Sequence, residues 1–232
     1  MRIQCKQDLN DGWHFQQKDD AKWRSATVPG CVHLDLLAND LIPEPFYGAN
    51  EKDLQWISDK DWSYRLTFQP DPDLFKQDKL QLCFHGLDTY AEVLLNNKKI
   101  LKTDNMFHPW VTDVRGILKE GDNELLVHFS SPINRILPTL QVSDYILPAD
   151  NDQIENTSPY TRKAPYHYGW DWGPSFATSG IWQAVELIGS GKWSVESAHI
   201  VQDKVSSSKA ELTLEMLTLE MLVESSADTE AE

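Results

Sequence analysis

Alternation of apolar and polar residues constrains this chain more than any other feature. Trp62, Tyr64, Leu66 and Phe68 alternate with Asp61, Ser63, Arg65 and Thr67, and Leu80, Leu82 and Phe84 alternate with Gln81, Cys83 and His85. A period of two places one set on each face of a strand, which predicts half-buried antiparallel sheet. Val93–Leu95 runs into Asn96-Asn97 and resumes at Lys98–Leu101. Asparagine tolerates the positive φ that a two-residue hairpin turn needs, so a hairpin is predicted there. Glu124–Phe129 and Ile181–Ile188 read as further strands. Many short strands separated by turns point to a β-sandwich or jelly roll.

Other segments break the pattern. Short β-like pieces surround Trp13, Phe15 and Trp23 and end at the Pro29-Gly30 turn signal. His33–Asp40 predicts a short helix, with Leu34, Leu37, Ala38 and Leu41 as its apolar stripe and Pro43 and Pro45 beyond it. Residues 43–60 read as a long aromatic loop. Residues 138–178 hold five prolines (138, 148, 159, 165, 174) and many aromatics. A stretch that long without strands is functional or disordered, and its aromatics favour order. Gly189-Ser190-Gly191 reads as a hinge. The expected organisation is therefore an N-terminal β-sandwich over 1–190 and the start of a second, incomplete domain over 191–232. Trp193–Val201 would open that domain, and ESSADTEAE would form an acidic tail. Leu-Thr-Leu-Glu-Met occurs at 212–216 and again at 217–221. As a strand this repeat would swap faces midway; alternatively Leu212, Met216, Leu219 and Val223 fit a helical stripe.

Composition narrows the function classes. The 232 residues carry a formal charge of −15, which opposes binding to nucleic-acid phosphates or to an anionic membrane surface. No apolar run approaches the roughly 18 residues of a membrane span. The N-terminal MRIQCKQDLNDGWHF has no apolar core of a signal peptide, which makes the cytoplasm the default compartment. Cys5, Cys31 and Cys83 are too few for a disulfide framework and are expected as buried free thiols. His33, His85 and His128 are expected as satisfied structural histidines. No spacing of His, Cys, Asp and Glu suggests a metal site, and no motif calls for a cofactor.

The segment YTRKAPYHYGWDWGPSF (160–176) is the richest in chemistry. It sets Asp171 between Trp170 and Trp172, with Arg162, Lys163, Tyr166, His167 and Tyr168 nearby. Sugars present flat C–H faces to aromatic rings and paired hydroxyls to carboxylates, so a Trp-Asp-Trp turn suits a sugar. The competing reading is that the tryptophans pin a long loop to the sandwich. Asp104–Trp110 (DNMFHPW) offers Asn105 as a polar site residue or as a simple turn asparagine.

Six segments together resemble the N-terminal part of β-mannosidases, within the β-galactosidase/β-glucuronidase/β-mannosidase group of retaining glycoside hydrolases. They are DLNDGWHF (8–15), VPGCVHLDLLANDLIPEPFYGANEKDLQWISDKDWSYRLTF (28–68), GLDTYAEVLLNN (86–97), DNMFHPW (104–110), RKAPYHYGWDWGP (162–174) and SGIWQAVEL (179–187). SGIW is shared across the wider group, whereas the PEPFYGANE and GWDWGP loops are more specific to the mannosidase-like branch. The resemblance implies a jelly-roll, galactose-binding-domain-like sandwich, then an immunoglobulin-like domain, then a catalytic (β/α)₈ barrel. It implies hydrolysis of terminal non-reducing β-mannose with retention by two barrel carboxylates about 5–5.5 Å apart. A barrel takes roughly 250 residues, and only about 40 follow Ser190, so no catalytic residue is expected in this chain. The resemblance assigns Asp171 to hydroxyls of the terminal sugar with Trp170 beside it, brings Asn105 near that sugar, and leaves Arg162 as a contact or loop anchor. The implied partners are a β-mannoside oligosaccharide or glycoconjugate and a barrel supplied in cis or in trans. A stand-alone carbohydrate-binding module and one subunit of a split hydrolase are the alternatives.

Overall fold

The computed structural model describes residues 5–18, 20–145, 147–191 and 195–218. Fourteen strands are present among them. One sheet has four antiparallel strands in the order β1 (Cys5–Asp8), β12 (Val185–Ser190), β5 (Lys79–Phe84) and β9 (Trp110–Asp113). The other has six, in the order β3 (Arg24–Ser25), β2 (His14–Gln17), β4 (Trp62–Phe68), β10 (Asn123–Phe129), β7 (Ala91–Leu95) and β8 (Lys98–Lys102). The short strands β6 (Leu87–Asp88) and β11 (Gly180–Ile181) pair with each other, and so do β13 (Val195–Val205) and β14 (Ala210–Thr218).

Alternation in the sequence becomes rows in the sheet. Register aligns Leu66, Leu125 and Leu95 in one row, Tyr64, Val127 and Val93 in the next, and Trp62, Phe129 and Ala91 in a third. Across the sandwich, Leu82 pairs with Leu187 and Phe84 with Val185. All these side chains belong to a single buried cluster. Fully burying one Leu or Phe stabilises the fold by about 1.5–3 kcal/mol. The buried indoles are satisfied, since Trp13 Nε1 donates to the Leu9 carbonyl and Trp62 Nε1 to that of Ile57. At the predicted hairpin, Asn96 and Asn97 adopt φ of 52° and 64° between β7 and β8.

Several expectations change. The helix is α1 (Val32–Ala38), but it buries Val32, His33, Asp35 and Leu36, while Leu34 and Leu41 face solvent. Asp35 turns inward because its carboxylate accepts hydrogen bonds from the Tyr64 hydroxyl (2.7 Å) and the Thr27 amide (2.8 Å). The 43–60 loop contains a helical turn, α2 (Asn50–Asp53), and a 3₁₀ turn at Gln55–Ile57. The strand expected over 181–188 is divided between β11 and β12. Gly189 and Ser190 are strand residues rather than a hinge. Gly189 packs so closely on Gln77 that a Cβ there would lie 2.7 Å from the Gln77 side chain. Of the cysteines, Cys83 is buried, but Cys5 and Cys31 are only half-buried; all three are free thiols. The first copy of the five-residue repeat lies in β14, so its helical reading fails there; residues beyond Thr218 lie outside those described.

The 138–178 segment is ordered around its own small core. Ile133, Ile154, Tyr168 and Ala177 are buried together, with Leu137 of α3 (Leu137–Gln141) against them. Two 3₁₀ turns, Ser158–Tyr160 and Pro165–Tyr168, shape its second half.

Candidate functional site

The base of the 160–176 loop is held along both sides. The Met106 amide donates to the Arg162 carbonyl (3.0 Å), and the Ala164 amide points at Met106 Sδ (3.0 Å). Trp182 Nε1 in turn donates to the Met106 carbonyl (3.0 Å). Asn105 and Arg162 therefore lie side by side in a short parallel bridge. Together they line an open cavity of about 420 Å³ with Phe107, Ser158, Thr161 and Pro165. Asn105 Oδ1 accepts from the Phe107 amide (2.9 Å), so its side chain also shapes the turn. Arg162 faces Asp104 at 3.8 Å with both side chains largely exposed, an arrangement that adds little stability and leaves the guanidinium available.

The tip of the loop is different. Tyr168 is buried, and Gly169 follows with φ of 130°, where a Cβ would lie 2.5 Å from the Asn151 carbonyl oxygen. That glycine lets the chain leave the core sharply and project the next residues. Trp170 and Gly173 then form an isolated antiparallel bridge that closes a tight turn on Asp171 and Trp172. Trp172 is 84% exposed and Trp170 44% exposed, edge-to-face at 6.4 Å. These tryptophans do not pin the loop; Tyr168 does. Asp171 is exposed.

The four residues singled out in the sequence thus fall into two groups. Asn105 and Arg162 share one cavity, while Trp170 and Asp171 stand on the projecting turn of the same loop. Among the described residues, no group of His, Cys, Asp and Glu could hold a metal ion, and no helix is long and apolar enough to cross a membrane.

Sequence reasoning missed a buried polar cluster beneath the loop. Lys163 Nζ forms an ion pair with Asp88 Oδ2, with side-chain exposures of 0% and 2%. Lys163 Nζ also donates to the Thr178 carbonyl (2.8 Å) and hydroxyl (3.1 Å). The Thr178 hydroxyl donates to Asp88 Oδ2 (2.7 Å) and lies 3.3 Å from His167 Nδ1. The Thr89 hydroxyl donates to Asp88 Oδ1. Burial presses the Lys163 ammonium below its usual range, with Asp88 opposing the shift. Burial, reinforced by the Lys163 charge, pushes His167 and His33 down to about 4. His33 is not the satisfied histidine expected, because its Nδ1 has no hydrogen-bond partner. His85 and His128 do have partners, Glu186 Oε2 at 2.9 Å and the Ser63 hydroxyl at 2.7 Å.

Residues 13–183 match the family profile described as glycosyl hydrolase 2 galactose-binding domain-like. The chain belongs to this glycosyl hydrolase 2 family. Within the family it is similar to "Beta-mannosidase B" of Aspergillus niger, with 39% identity over 187 residues, 77% of this chain and 22% of that one. "Beta-mannosidase B" of Thermothelomyces thermophilus is also 39% identical, over 77% of this chain and 21% of its own length. The chain therefore spans about a fifth of the length of these relatives. Among solved structures, the β-D-mannosidase of Dictyoglomus thermophilum superposes with a TM-score of 0.84 and 41% identity, over 91% of this chain and 26% of that chain. The β-glucuronidase of an uncultured Clostridium sp., 20% identical with a TM-score of 0.61, shares the fold. The glycosyl hydrolase 2 membership agrees with the galactose-binding-like sandwich and with the resemblance carried by the PEPFYGANE and GWDWGP loops.

Proposed function

We propose that this chain is the non-catalytic, sugar-contacting region of an enzyme that removes terminal non-reducing β-D-mannose with retention. The observation that carries the reading is the projecting Trp170–Asp171–Trp172 turn on an anchored base, in a glycosyl hydrolase 2 domain similar to β-mannosidases. An exposed carboxylate flanked by exposed indoles can take paired sugar hydroxyls and stack on a sugar face. Asp171 makes the main contact, Trp170 flanks it, and Asn105 and Arg162 line a cavity at the base of the same loop. Residues 1–190 form the sugar-binding-type unit, and 191–232 begin a second, immunoglobulin-like one.

Both catalytic carboxylates belong to a (β/α)₈ barrel, which needs roughly 250 residues and has no room here. The barrel acts in cis or in trans, and the 232 residues alone hydrolyse no β-mannoside. Enclosure explains this: an open cavity with a projecting turn is part of a pocket, and small ligands need several converging groups around them. A stand-alone carbohydrate-binding module is the second reading, favoured by the exposure of Trp172. The edge-to-face pair in one tight turn gives that module no flat platform.

The test is a panel of 4-nitrophenyl β-glycosides offered to the intact gene product and to residues 1–232. Mannoside turnover by the intact product alone supports the proposal. Turnover by residues 1–232, or an intact product that prefers another glycoside, contradicts it.

A further inference from the structure

The buried Asp88–Lys163 pair is not among the sugar contacts proposed above, yet its polar atoms are fully partnered at the loop's base. An ammonium has three donors, and Lys163 finds three acceptors: Asp88 Oδ2, the Thr178 carbonyl and the Thr178 hydroxyl. The carboxylate is covered in turn by the hydroxyls of Thr89 and Thr178. Charges removed from water this fully gain little stability over apolar groups of the same size. A fully satisfied pair of this kind can fix the register of the segments that carry it, because displacing either partner leaves a buried charge unpaired.

The register fixed here is that of the site. Asp88 ends β6, which pairs with β11 through Gly180. Thr178 lies on the returning limb of the loop, two residues before β11. Lys163 lies on the outgoing limb, between the Arg162 carbonyl and the Ala164 amide that meet Met106. The Lys163 side chain thus ties both limbs of the loop to Asp88 of the sandwich, while the backbone on either side of it meets Met106, next to Asn105. We propose that Asp88 and Lys163 are positioning residues, which set where Asn105, Arg162 and the Trp170–Trp172 turn stand. This inference rests on the sugar-contact reading of that turn, and its test separates the two.

Lys163→Met alone strands a carboxylate in the interior and is expected to threaten folding. The informative variant is Asp88→Asn/Lys163→Met, which removes both charges. Fluorotryptophan is incorporated into residues 1–232, and ¹⁹F resonances are assigned by single Trp→Phe changes. The proposal expects the core Trp13 and Trp62 resonances to keep their positions. The resonance of the half-buried Trp170 should move to the shift of free fluorotryptophan, and proteolysis within 160–176 should rise at least tenfold. An unmoved Trp170 resonance overturns the proposal, since the loop then stands without the pair. Loss of the Trp13 and Trp62 resonances also overturns it, since the pair then holds the whole fold. In the intact gene product the same variant should lower kcat/KM for an aryl β-mannoside at least tenfold. If Asp171→Ala lowers kcat/KM and the pair variant does not, positioning fails while the sugar reading stands. If Asp171→Ala is silent, the sugar reading fails whatever the pair variant does.

Discussion

Acid should loosen this domain from beneath the 160–176 loop. His33 and His167 both have folded values of about 4 against an ordinary 6.5, because burial and the Lys163 charge disfavour their protonation. The unfolded chain therefore binds protons before the folded one does, and stability is lost as pH falls from 6.5 towards 4. At pH 4.5 each histidine costs about 2–3 kcal/mol relative to pH 7, before any coupling through their shared neighbour Lys163. Asp35 works the other way. Burial holds its carboxyl at about 6, above the ordinary 3.8, so its protonation returns about 2 kcal/mol over the same interval. The net loss is about 3 kcal/mol, a large part of the 5–15 kcal/mol of a typical domain. Urea unfolding at pH 7, 6, 5 and 4.5 measures it, on the chain and on His167→Gln. The variant should be destabilised at pH 7 by the lost packing and should lose about 2 kcal/mol less than the parent on going to pH 4.5. A parent–variant difference that is constant across that range would refute the reasoning.

Other consequences follow from single side chains. Tyr64→Phe leaves the buried Asp35 without its 2.7 Å donor and should cost about 1–3 kcal/mol in urea unfolding. Leu82→Ala empties a fully buried position opposite Leu187 and should cost about 2–5 kcal/mol by the same measurement. Residues 1–232 should self-associate with rising concentration through the exposed aromatics of the loop, and Trp172→Ser should weaken this in sedimentation velocity. Monomeric behaviour of the parent across a wide concentration range would count against that patch.

The sandwich was legible wherever one residue in two had to face a core. That rule found β4 and β5, and the Asn-Asn pair marked the β7–β8 hairpin. It failed at α1, because helical spacing of leucines carries no information about Asp35, which is drawn inward by Tyr64 and Thr27. It failed again at Gly189, where a turn-like glycine serves close packing on Gln77 within a strand. The Trp-Asp-Trp turn was visible as chemistry, but its orientation was not. Indoles that pin a loop and indoles that leave it read alike, and the structure gives the pinning role to Tyr168. The Asp88–Lys163 pair was invisible because its partners are 75 residues apart and no local pattern joins them. Family motifs reached Asp171 and Asn105 but offered no account of what holds them in place.

The central claim is that Asp171 serves a β-mannose pocket completed by a barrel beyond these residues. Asp171→Ala in the intact gene product tests it most directly, by steady-state kinetics on 4-nitrophenyl β-D-mannoside. The exposed position predicts unchanged stability within about 0.5 kcal/mol. Loss of hydrogen bonds to a charged group, about 1.5–3 kcal/mol, predicts a fall in kcat/KM of roughly 10- to 150-fold. An Asp171→Ala enzyme that folds and keeps the kcat/KM of its parent would contradict the account.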